Sequence, residues 1–170
     1  AEKLLRQGKL DQAIAEYVRL VEDQPRDWNT GNLLGDLYVR SGQLDQAVVQ
    51  FARIADSLHH EGFNSKAAAL YKKILKLRPD DDRALVQTGL LAAEQGLLAD
   101  ARLFLTTAAT GRRSRGDQRG ALQLTVRIGA LDPHDVPARI AAAHALHELG
   151  DLPAALHDLT ELANWLVEVD

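Results

Sequence analysis

The chain of 170 residues has no cysteine. Disulfides, thiolate catalysis and zinc–cysteine sites are thereby excluded, and the composition fits a reducing compartment. Aromatics are scarce, at 5%. A β-sandwich draws on Val, Ile, Tyr and Thr, whereas this chain is rich in Ala and Leu, which favours helices packed closely through small side chains. There are five prolines, and no long stretch alternates in the manner of a strand. No apolar run approaches the roughly 18 residues of a membrane span, and no signal peptide opens the chain. A cytoplasmic protein without membrane association is therefore expected. The net charge is −4 and the pI about 5.9, a balance that argues against a duplex nucleic-acid binder with its basic face.

What is present is a repeat. A Gly followed five residues later by Ala occurs at Gly8/Ala13, Gly42/Ala47, Gly62/Ala67, Gly96/Ala101, Gly116/Ala121 and Gly150/Ala155, in steps of 34, 20, 34, 20 and 34. The full period is 54 residues. Pro25, Pro79 and Pro133 obey it, as do Asp27, Asp81 and Asp135, the apolar column Leu20, Ile74 and Ile128, the column Phe51, Leu105 and Leu159, and the identical Ala55, Ala109 and Ala163. These columns are helix punctuation. Glycine takes the left-handed conformation that ends a helix, and proline cannot continue one. The aspartates can cap the helix that follows, with Asp117 and Asp151 in the same role. The alanines let a neighbouring helix approach.

The marks predict helices over 10–23, 28–41, 44–60, 63–77, 81–95, 98–114, 117–130, 135–149 and 152–167, with residues 1–7 as the tail of another. Leu10, Ile14, Tyr17, Val18 and Val21 fall on one stripe of the first of these. Short connections imply antiparallel neighbours.

These residues resemble the tetratricopeptide repeat family, a 34-residue helix-turn-helix motif. Residues 28–61 carry Leu34, Gly35, Tyr38, Gly42, Leu44, Ala47 and Phe51. Residues 1–25 match its latter part through Gly8, Leu10, Ala13, Tyr17 and Pro25, and residues 62–79 repeat it with Gly62, Phe63, Ala67, Tyr71 and Pro79. Residues 82–110 and 136–166 match through Gly89 or Ala143, Gly96 or Gly150, and Ala101 or Ala155. The resemblance implies an all-α fold of stacked antiparallel helix pairs in a right-handed solenoid, one domain over residues 1–170, with superrepeats 1–54, 55–108 and 109–162. The chain departs from the family at the 20-residue steps. There the helices over 44–60 and 98–114 must finish one repeat and open the next.

The resemblance also implies a scaffold or adaptor that holds a protein or peptide on its concave face. The first helix of each 34-residue repeat lines that face, which nominates Asn29, Asn32, Asp36 and Arg40; Arg83, Gln87, Leu90 and Glu94; and Ile140, His144, His147 and Glu148. A clamp for a C-terminal carboxylate is not expected, because the matching positions lack a lysine and Asp36 has no paired cation there. The run from Gly111 to Gly120 places Arg112, Arg113, Arg115 and Arg119 close together, a patch for an acidic partner or simply the cationic end of a helix. His144, His147 and His157 lack the carboxylate or fourth ligand of a metal set, and His59–His60 has no partner pattern. The serines have no nucleophile elbow, and no phosphate loop is formed, so neither catalysis nor a cofactor is expected. Self-assembly through Leu159, Leu162, Trp165 and Leu166 of the last helix is the alternative reading. An RNA-binding array resting on the arginine run comes third.

Overall fold

A computed structural model describes residues 1–169. Among them are ten α-helices and no strand: α1 (Glu2–Arg6), α2 (Leu10–Asp23), α3 (Trp28–Arg40), α4 (Leu44–His60), α5 (Asn64–Leu77), α6 (Asp82–Glu94), α7 (Leu98–Ser114), α8 (Gln118–Gly129), α9 (Val136–Glu148) and α10 (Leu152–Val169). The predicted spans agree with these to within two residues at either end. No helix is long and apolar enough to cross a membrane among the described residues.

The punctuation works as its chemistry requires. Asp27, Asp81, Asp117 and Asp135 each cap a helix by accepting from the amide of Thr30, Ala84, Gly120 and Ala138. Asp151 accepts likewise from Ala154, at 3.1 Å. At Asp27 the Thr30 hydroxyl adds a second bond, and the two hold that carboxyl below its ordinary pKa. The six periodic glycines all have positive φ, from 73° to 90°. At Gly42 this turn lets the Gln43 amide reach the Tyr38 carbonyl at 2.9 Å, closing the end of α3.

The chain forms two compact units, Ala1–Pro79 and the part from Asp80 onward. The break falls inside the 55–108 block of the sequence period. In the first unit each helix packs on its neighbour in the chain, and α4 packs on both α3 and α5. In the second, α7 packs on both α6 and α8 in the same way. The helices that the 20-residue step requires to serve two repeats thus do so.

Small residues set the helix spacing. Gly31 lies against Gln50 and Ile54, and Gly35 against Phe51, so α3 and α4 run antiparallel with their backbones close. The Gln50 side-chain amide donates to the Gly31 carbonyl at 3.0 Å and is itself buried. Phe51 is fully buried, a contribution of about 1.5–3 kcal/mol. Beside this contact, Ile14, Tyr17, Val21, Leu34 and Leu37 form one apolar cluster. The second unit repeats the device with Gly89 against Leu105 and Gly129 against Ala142.

A Cβ on Gly35 would overlap the Phe51 ring. Gly35→Ala should therefore destabilise the first unit by about 1–3 kcal/mol, despite alanine's better helix propensity. Gly111→Ala is the control, since its Cβ would meet only the mobile end of Arg115, at 3.1 Å. It should stabilise by about 0.5–1 kcal/mol. Urea unfolding followed by circular dichroism separates the two, and stabilisation by both would remove the close-packing account.

Candidate functional site

In the second unit, α6 turns Ala84, Leu85, Thr88, Leu91 and Ala92 into the core. This leaves Val86, Gln87 and Leu90 half-buried on the adjoining strip. Gln123, Leu124, Val126 and Arg127 of α8 and Leu146 and Leu149 at the end of α9 complete a groove of about 540 Å3, with Arg112 at its edge. The floor is apolar, and two side-chain amides and two guanidinium groups border it.

The two arginines differ. Arg112 is held by Asp82, with Nη2 2.7 Å from Oδ2 and Nε 3.0 Å from Oδ1. Arg115 reaches the same carboxylate at 2.8 Å. The Arg112 hydrogen bond, outweighing partial burial, pulls the Asp82 carboxyl below its ordinary pKa, and Asp82 in turn raises that of Arg112. Arg127 is exposed and has no ion-pair partner among the described residues.

The first unit shows what a neutralised version looks like. Lys73 lies one 54-residue period before Arg127. Its ammonium is 2.6 Å from Asp36 and 3.1 Å from Asn32, and it stands over the Phe51 ring at 4.2 Å. One period on, Asn32 and Asp36 become Val86 and Leu90. The cation is kept and its carboxylate is replaced by an apolar side chain.

The nominated residues are thus sorted. Gln87 and Leu90 line the groove. Arg83 and Glu94 are exposed near the ends of α6 and do not line it. On α9 the groove takes Leu146 and Leu149, and exposed Ile140, His144, His147 and Glu148 lie elsewhere on the helix. The expectation for α9 chose the wrong strip, because that helix is apolar on several sides and gives no clear period. Asn29 borders a shallow cleft with Tyr17, Leu20 and Leu33, and Arg40 is exposed at the end of α3. Asp36 does have a paired cation, contrary to the sequence reading; Lys73 comes from α5, and no local spacing announces it. The arginine run is not an open patch. Arg112 and Arg115 are engaged by Asp82, and Arg113 and Arg119 remain exposed. His59 also finds a partner, Asn64, at 2.9 Å.

A second cleft of about 550 Å3 lies between α9 and α10. Its one arginine, Arg139, is neutralised by Asp158 at 2.5 Å, and His134 stacks on Trp165 with ring centres 4.9 Å apart. Trp165 is thereby half-buried and Leu162 buried, so only Leu159 and Leu166 of that apolar group are exposed.

The sequence profile of the tetratricopeptide repeat family matches residues 1–59 and 54–117. The cellulose synthase 2 operon protein C of Komagataeibacter xylinus is 32% identical over 111 residues, which cover 56% of this chain but span only 8% of that protein's length. Among solved structures, BtubC from P. vanneervenii is 14% identical, with 98% of this chain and 92% of its own covered and a TM-score of 0.47. A tetratricopeptide repeat protein from Parabacteroides merdae is 18% identical over 96% of this chain and 76% of its own, with a TM-score of 0.33.

The Asp82 cluster makes a pH prediction. A carboxyl whose pKa is lowered by folding stabilises above its unfolded value, and that stabilisation is lost as pH falls through the folded value. Asp82→Asn should lower stability at neutral pH, and its deficit against the parent chain should shrink only below about pH 4, the ordinary carboxylate value. Thermal unfolding measured from neutral to acid pH checks this. A deficit independent of pH would show that the Asp82 charge contributes nothing.

Proposed function

Because the chain belongs to the tetratricopeptide repeat family, we propose that it is a protein-interaction scaffold or adaptor whose second-unit groove holds a peptide segment combining apolar side chains with a carboxylate. Proteins of this family are typically non-catalytic binding modules. The observation that carries the finer reading is Arg127. It borders an apolar floor and lacks the neutralising carboxylate that Lys73 has at the equivalent position.

The physical logic is complementarity. Leu90, Leu124, Leu146 and Leu149 offer apolar surface to side chains that gain by leaving water. Arg127 supplies a planar fork matched to a carboxylate, and the partly apolar surroundings strengthen that pair relative to water. Gln87 and Gln123 can bond the peptide backbone. Arg112 is already satisfied by Asp82 and acts as a fixed wall.

Peptide-library selection on the 170-residue chain tests this. Enriched peptides should pair an acidic residue with Leu, Ile or Phe. Arg127→Glu should weaken them by about 2 kcal/mol or more, with the helical signal unchanged, and Arg113→Glu should have little effect. Enriched peptides without acidic residues, and indifferent to Arg127→Glu, would overturn the reading.

A further inference from the structure

The outer face of α10 carries a second interface. Leu156, Leu159, Ala163, Leu166 and Val167 form one stripe at helical spacing. Leu156 is 56% exposed, Leu159 40%, Leu166 41% and Val167 80%. The face turned to α9 is a different one, formed by Ala155 and Leu162.

The period of the chain says what such a stripe is for. Two periods earlier, Leu156, Leu159, Ala163 and Leu166 correspond to Val48, Phe51, Ala55 and Leu58 of α4. All four of those are buried, and the neighbours of α4 are α3 and α5. Contacts fix the side that meets α5: Tyr71 donates to Asp56, Lys73 stands over Phe51, and His59 bonds Asn64. On α7, Leu105 and Ala109 at the same positions are buried, and α8 packs there. The α10 stripe is thus the counterpart of surfaces that this chain twice covers with a helix of one type. That helix type places Ala67, Tyr71 and Ile74, or Ala121, Thr125 and Ile128, at matching positions.

Charge narrows the occupant. α10 carries Asp158, Glu161 and Glu168 and no Lys or Arg. α5 carries Lys66, Lys72, Lys73 and Lys76 and no acid, and α8 carries Arg119 and Arg127 and no acid. The third helix of the type, α2, has Asp11, Glu16, Glu22 and Asp23 against a lone Arg19. A second copy docking through α2 would bring like charges together. We infer that the outer face of α10 docks a basic amphipathic helix of a partner repeat, with Ala, then Tyr or Thr four residues on, then Ile three further, on its apolar side. This interface is separate from the groove and does not depend on it.

The test uses the whole 170-residue chain and a labelled synthetic peptide with the sequence of residues 61–80. Saturable one-to-one binding by fluorescence anisotropy is expected, weakened by added salt because charge contributes. The doubly substituted chain Leu159→Asp/Leu166→Asp should lose about tenfold or more in affinity, and Arg127→Glu should bind the peptide normally. A peptide of residues 9–26, which is acidic, should bind about tenfold more weakly than the basic one. Circular dichroism of the double variant verifies that both exposed positions tolerate the change. Absence of saturable binding, unchanged binding by the folded double variant, or equal binding of the acidic peptide would overturn the proposal. So would light scattering that shows a dimer dispersed by the same substitutions, because the face would then be a self-interface.

Discussion

Everything in both units depends on how closely the first helix of a pair can approach the second. Gly35 under Phe51, Gly89 under Leu105 and Gly129 under Ala142 set that distance. Where no side chain stands between the helices, the opposing ring or branched chain packs directly on backbone, and close-packed interiors tolerate little change in volume. The caps and left-handed glycines then bring each helix to that contact at the right point, leaving the remaining faces for other uses.

The 54-residue period is therefore a fixed frame within which single columns can change meaning. The clearest case is the cation column. Lys73 and Arg127 occupy one structural position. In the first unit Asp36 and Asn32 hold the charge. In the second, Val86 and Leu90 stand where they stood, and the arginine borders an open groove. A buried or half-buried cation without its counter-charge is costly, so the arrangement is best suited to a ligand that supplies the carboxylate. The α10 stripe follows the same logic, since a column buried on α4 is exposed on α10.

The helices were legible because their ends are written in residues with one dominant use. Asp27, Asp81 and Asp135 cap, and Gly42 and Gly96 terminate. On the groove, Gln87 and Leu90 could be found because they share a helix face with the period of α6. Three features escaped. Lys73 pairs with Asp36 across 37 positions of chain, so no local spacing reveals it. Arg112 and Arg115 looked like a patch because Asp82, 30 residues earlier, is hidden in an aspartate run that reads as a helix start. On α9, alanines and leucines on several sides erase the periodicity that would separate His144 and His147 from Leu146 and Leu149.

The central claim, that an unneutralised Arg127 in an apolar groove is the recognition cation, is tested most directly by building the first unit's arrangement into the second. Leu90→Asp places a carboxylate at the position where Asp36 pairs with Lys73. Affinity for library-selected acidic peptides should be measured by calorimetry on the folded variant. The account predicts loss of binding by Leu90→Asp and recovery of part of it by the uncharged Leu90→Asn. Binding by Leu90→Asp equal to that of the parent chain would contradict it.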